Sequence, residues 1–135
     1  MRVKRLLVVS VTVVAACKSP TPAEQMDSVQ SWLGTAAMVG DAWLRQTTPD
    51  RYSRQTLELS HENLRQISSD LLKSAPKSVD SATLDSVLTT SRRRVDKMAR
   101  LIGAKNSPDF ARQLDSLRAD QKIVKQLADS IQFRQ

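Results

Sequence analysis

The side chains that could carry out chemistry in this chain are few. Among 135 residues there is one histidine, His61, and one cysteine, Cys17. A lone cysteine excludes an intramolecular disulfide and any cysteine-based zinc site. His61 ends a Glu58-Leu59-Ser60-His61 run, the Glu-x-x-His spacing that carboxylate-bridged di-metal sites use because i and i+3 side chains project together from a helix. Such a site needs a second copy of the motif and two further inward glutamates. The remaining glutamates are Glu24 and Glu62, and there is no second histidine, so the set is incomplete. A Ser-His-Asp triad finds no supporting context around His61, and no Gly-x-Ser-x-Gly elbow occurs. Covalent haem attachment requires Cys-x-x-Cys-His, which is missing. A non-covalent pair would draw on His61 with Met26, Met38 or Met98, but methionines at that spacing more often pack a core. No enzyme activity, metal or cofactor is expected.

Charge is the stronger signal. Arg92, Arg93 and Arg94 stand together and are continued by Lys97, Arg100 and Lys105. With Leu88 and Val95 turned inward on a helix, Arg93, Lys97 and Arg100 share its outward face. Arg118, Lys122 and Lys125 form a second stripe at i, i+4 and i+7. Such a face attracts phosphates, anionic lipid headgroups or an acidic protein surface. The competing reading is a solvated surface partly paired with Asp96, Asp115, Asp120 and Asp129. No aromatic platform interleaves the arginines, which disfavours nucleic acid.

The N-terminus has three parts. Arg2, Lys4 and Arg5 form a positive region, Leu6 to Ala16 an apolar run, and small residues lead to Cys17. The run is too short to cross a bilayer, which takes about 20 helical residues, and suits the apolar region of a secretory signal. Val14-Ala15-Ala16-Cys17 resembles the lipobox of bacterial lipoproteins. The resemblance covers only the signal and its cleavage site. It implies a signal peptide over residues 1–16, cleavage before Cys17, diacylation of its sulfur and acylation of the new amine (the palmitate-type anchor of this class). Several acyl chains, at about 0.8 kcal/mol per buried CH₂, suffice for stable attachment to a lipid bilayer. Lys18 stands where inner-membrane retention usually has Asp, which resembles outer-membrane sorting facing the periplasm if the host has two membranes.

Loss of the leader also changes the charge. The leader holds three of the 21 basic residues and none of the 14 acidic ones, so the formal net charge falls from +7 to +4. The remainder is polarised along the chain. Residues 17–90 sum to −2 and residues 91–135 to +6.

The elements that must position these groups follow from apolar spacing. Residues 17–24 read as the lipidated cysteine and a Pro-containing tether, extended at about 3.1 Å per residue. From there on, apolar side chains recur every three or four residues: Val29, Trp32, Ala36, Val39 and Trp43; then Leu57, Leu64, Ile67 and Leu71, with Ser60 and Ser74 in the same phase. A third series is Leu84, Leu88, Ser91, Val95, Met98 and Ile102, and a fourth is Phe110, Leu114, Leu117, Gln121, Val124, Ala128 and Ile131. This is helical periodicity throughout. Thr48-Pro49-Asp50 and Ser107-Pro108-Asp109 each offer a hydroxyl N-cap followed by proline, and Gly103-Ala104-Lys105-Asn106 offers a stop. Helices are expected near 24–46, 49–74, 80–103 and 108–133 within a domain over 25–135. Their similar lengths and short connections predict an all-α, antiparallel up-down-up-down four-helix bundle. The main competitor is a three-helix core with the first helix peripheral. Gly34, Ala36, Ala37 and Gly40 suggest close packing around the first helix, and Ile123 and Leu127 lie off the main stripe of the last.

The expected function is a small, non-enzymatic envelope lipoprotein, a scaffold or adaptor. It would bind a protein complex or an anionic surface through Arg92, Arg93, Arg94, Lys97, Arg100, Arg118, Lys122 and Lys125. The alternative is a binding protein for a small apolar or cofactor ligand held near Trp32, Trp43, Met38 and Met98. An unrecognised enzyme is a weaker third. Homodimerisation stays open.

Overall fold

The computed structural model describes residues 19–77 and 79–132. Among these residues there are four helices and no strand: α1 (Pro22–Leu44), α2 (Asp50–Ser74), α3 (Ser81–Gly103) and α4 (Ser107–Gln132). Cys17, Lys18 and residues 1–16, where a signal peptide is expected, lie outside the described residues. No described helix is long and apolar enough to cross a membrane.

Local chemistry sets each helix start. Residues 21–24, expected to belong to the tether, open α1 instead. The Thr21 hydroxyl accepts from the Glu24 amide, the Glu24 carboxylate accepts from the Thr21 amide, and Pro22 sits in the first turn. This reciprocal box satisfies two amides that a helix end leaves unpaired. Asp80 caps α3 through the amides of Ala82 and Thr83. At the other two starts the expected hydroxyl caps are not used. Pro49 occupies the N-cap of α2 without a side-chain hydrogen bond, while the Thr48 hydroxyl pairs with Ser53. Ser107 is already helical, and the Asn106 side chain accepts from the Asp109 amide at 3.2 Å and donates to its carboxylate at 2.8 Å.

The helix ends also differ in detail from expectation. Gly103 is the last residue of α3, and the left-handed residue that stops the chain is Lys105 (φ 52°). Gln46 (φ 60°) does the same after α1. In both turns the next amide reaches back five residues, Thr47 to Ala42 and Asn106 to Leu101, as in a Schellman motif.

The helices pack as a bundle in which α1 touches α2 and α4, and α3 touches α2 and α4, with only slight α1–α3 contact. The start of α1 meets the end of α2 through Gln25 and Ser74 (2.9 Å), and the end of α1 meets the start of α2 through Trp43 and Asp50 (2.8 Å). All four helices supply one continuous core, including Met26, Val29 and Leu33 from α1, Leu57 and Leu64 from α2, Val95 and Met98 from α3, and Phe110 and Leu117 from α4. A peripheral first helix is incompatible with that burial. At Gly40 an added Cβ would lie 2.9 Å from Met98 Cε and 3.3 Å from both Leu114 and Phe110, so α1 passes close to side chains of α3 and α4.

Candidate functional site

The eight cations expected to form one basic face are distributed over distinct surfaces. Arg93, Lys97 and Arg100 lie exposed on α3, and Arg100 pairs with Asp96 one turn back. A shallow depression of about 590 Å³ runs along them, lined by Arg93, Asp96, Lys97, Arg100 and Leu101 of α3 and by Ala104 just past its end. Arg92 is half-buried, and its carbonyl oxygen takes a contact from His61 Nδ1 at 3.1 Å across the α2–α3 seam.

Arg94 is committed elsewhere. Its Nε donates to Asp120 Oδ2 at 2.7 Å across the α3–α4 seam, with side chains 29% and 9% exposed. Asp120 is therefore a nearly buried carboxylate with one cationic partner. The pair works as an inter-helix clamp that draws Arg94 into the α3–α4 seam. Pairing is needed there because an unpaired buried charge is costly.

The α4 stripe faces the seam with α1. Arg118 reaches Asp41 of α1 at 3.3 Å and Asp115 at 3.8 Å. Lys122 and Lys125 are exposed and form no ion pair among the described residues. With Arg118, Gln121, Gln30 and Leu33 they line a groove of about 430 Å³ between α1 and α4. Thus Arg93, Lys97 and Arg100 make one surface, Arg118, Lys122 and Lys125 another, and the Arg94–Asp120 pair lies in the seam between α3 and α4.

The other candidates resolve differently. Among the described residues His61 forms no hydrogen bond or ion pair with Glu58 or Glu62. Glu58 faces Arg54 at 3.8 Å, and Glu62 pairs with Arg65 at 2.6 Å, which holds the Glu62 carboxyl below its usual range. No cluster of three or more potential metal ligands occurs among the described residues. The residues expected to hold an apolar ligand are split between core and solvent. Met98 is fully buried over Gly40, and Trp43 packs against Phe110 with ring centroids 4.5 Å apart while its indole donates to Asp50. Trp32 is half-buried, and Met38 is 67% exposed. Leu127 packs on the core, but Ile123 is 43% exposed.

Sequence reasoning did not single out Gln30, Leu33 or Asp41, and it named Asp120 only as a surface partner for the cations, not as a buried one. Asp120 had a usable signal, since it lies three residues after Leu117 and four before Val124, a core spacing as good as that of Gln121.

The fold and these surfaces define a class, a four-helix protein with a filled core and cationic stripes facing outward. Compared with protein-family models, curated proteins and solved structures, the chain matches none.

Proposed function

We propose that this chain is a membrane-tethered, non-enzymatic adaptor of a bacterial cell envelope. Residues 1–16 act as its signal peptide and acylated Cys17 as its anchor, on the periplasmic side of an outer membrane. Its helices run antiparallel, up-down-up-down, an arrangement supported by the Gln25–Ser74 and Trp43–Asp50 contacts at opposite ends of the α1–α2 pair. The short tether then keeps the domain close to the bilayer.

The observation that carries the reading is the outward stripe Arg93, Lys97 and Arg100, in which Arg93 and Lys97 have no ion-pair partner among the described residues. Such a stripe suits an acidic patch on a membrane-associated protein. Charges of this kind steer encounter and set orientation more than they add affinity.

Two measurements test this. The intact mass of membrane-extracted protein should equal residues 17–135 plus diacylglycerol and one acyl chain; an unmodified or leader-bearing chain ends the anchor proposal. Replacing Arg93, Lys97 and Arg100 together by Glu should abolish in-cell crosslinking from α3 to its neighbour. An unchanged crosslinked product removes this stripe as the contact.

A further inference from the structure

We propose that the groove between α1 and α4 binds a phosphate group, held by Lys122 and Lys125 of α4 together with the side-chain amides of Gln121 and Gln30. This goes beyond the adaptor reading and depends neither on acylation of Cys17 nor on the α3 stripe. The groove has a volume of about 430 Å³, within the roughly 300–1,000 Å³ typical of ligand sites. Gln30 lines it from α1, and Arg118, Gln121, Lys122 and Lys125 line it from α4. Leu33, fully buried, closes its floor.

The lining matches a phosphate in charge and in donors. Lys122 and Lys125 are one turn apart on α4, so their flexible stems can bring both ammonium groups to one point. Together they balance the charge of about −1.5 to −2 that a phosphate monoester carries near neutral pH. Each ammonium has three N–H donors and each amide two, enough for the three strong acceptor oxygens of the phosphate. A carboxylate, singly charged, would leave one lysine unmatched. Gln121 reaches across the seam: its Nε2 stands 4.0 Å from the position of a Cβ on Gly34. A donor from α4 thus lies against α1, one turn from Gln30.

The surrounding charges leave this site to an outside anion. From Ser28 to Gly40, α1 carries no charged residue, and Lys122 and Lys125 form no ion pair among the described residues. Acids stand beyond the two lysines and the two amides. Asp41 and Asp115 engage Arg118, Asp27 lies one turn before Gln30, and Asp129 one turn beyond Lys125. A cleft lined by charge of one sign over a low-dielectric floor focuses its field into the opening. The other cationic surfaces lack this arrangement. In the α3–α4 seam Arg94 is already paired with Asp120. The depression along Arg93 and Lys97 has no second helix as a wall and includes Asp96.

The test is lysine footprinting of the full-length protein in dodecyl maltoside, a neutral detergent, with inorganic phosphate as the probe and ionic strength held constant with potassium chloride. Acetylation of Lys122 and Lys125 should slow about tenfold at a phosphate concentration near ten times Kd, by simple mass action. Lys97 and Lys105 serve as references and should be unaffected. A second arm places the protein in phosphatidylcholine vesicles with and without phosphatidic acid. Selective protection by free phosphate assigns the site to a soluble ligand, and selective protection by phosphatidic acid alone assigns it to a lipid headgroup; both uphold phosphate recognition. Protection in neither arm, or equal slowing of all four lysines, overturns the proposal. Gly34→Glu should remove the protection, because it sets a carboxylate on the α1 wall where there is room for a side chain, and Gly34→Ala should keep it. Full protection in Gly34→Glu, with helicity unchanged, also overturns it. Lys122→Gln with Lys125→Gln, both at exposed positions, gives a variant read by titration calorimetry with the probe that protects the wild type. Binding should be lost, and an unchanged Kd refutes the assignment.

Discussion

At the scale of single residues, the polar groups that enter the core do so with partners, Ser68 excepted. Ser60 and Ser91 return their hydroxyls to carbonyl oxygens one turn back, those of Thr56 and Val87, the usual way a buried serine satisfies itself on a helix. Ser68 Oγ is buried without a partner. Among the described residues Arg94 is the one ionic partner of Asp120. Arg94→Met should therefore lower unfolding stability by about 3 kcal/mol, the lower end of the range for breaking a buried pair, because Arg94 is still 29% exposed. The double variant Arg94→Met with Asp120→Leu should regain most of that loss, since an apolar pair of similar size is often neutral. Urea titration of the three proteins decides the matter: equal stability of wild type and Arg94→Met would show that the carboxylate is adequately solvated without its partner.

At the scale of helices, the expected and observed boundaries agree closely, but three interior assignments differ for one reason. An apolar series that repeats every seven residues has two intermediate positions, at i+3 and i+4, about 100° apart on the helix. Between Val29 and Ala36 the expected core residue is Trp32, but Leu33 is the fully buried one. Between Leu64 and Leu71 it is Ile67, and the structure buries Ser68 more deeply; between Leu117 and Val124 it is Gln121, and Asp120 is buried instead. Hydropathy favours the larger apolar side chain in the second case and cannot rank Trp against Leu in the first. The neighbouring helix decides. Ser74 shows the converse, a residue in core phase that is exposed where α2 ends, its hydroxyl donating to Gln25. The caps also have measurable consequences. Hydrogen bonds from the Thr83 hydroxyl first, then from the Thr83 and Ala82 amides, hold the Asp80 carboxyl below its ordinary value. A lowered folded-state pKa stabilises above the unfolded value and loses that contribution as acid protonates the folded carboxylate. Wild type should thus lose more thermal stability than Asp80→Ala as pH falls below about 4. Parallel melting curves for the two proteins through that window would argue against the cap.

At the scale of the whole molecule, α1 is part of the core, and glycine tells where. Gly34 and Gly40 are both helical, yet their surroundings differ. Gly34 has open space, with its nearest neighbour 4.0 Å from an added Cβ, whereas Gly40 faces Met98, Leu114 and Phe110 at 2.9–3.3 Å. Gly34→Ala should therefore stabilise by about 0.5–1 kcal/mol through helix propensity. Gly40→Ala should destabilise by about 1–2 kcal/mol, because overpacking against fully buried side chains outweighs that gain. Calorimetric melts of both variants test the contrast, and a stabilised Gly40→Ala would mean that Met98 and its neighbours yield easily. Charge is likewise organised above the level of any helix. Seven of the eight cations named from the sequence are divided among the outward face of α3, the α3–α4 seam and the α1–α4 groove, and Arg92 is half-buried beside α2.

The helix count, the approximate helix bounds and most of the core were legible in the sequence, because periodic burial is a local property; the caps were not, since neither Thr48 nor Ser107 serves as the cap expected of it. The candidate site was legible in part. The spacing of Arg93, Lys97 and Arg100 determined that they share a face, since i, i+4 and i+7 positions align on any α-helix. Spacing could not show that Arg94 faces Asp120, that Arg118 reaches Asp41 over 77 positions of sequence, or that Gln30 and Leu33 complete a groove with Lys122 and Lys125. Those relations depend on which helix lies beside which and at what rotation. That is set by how four apolar faces interlock, and only the packed structure decides it.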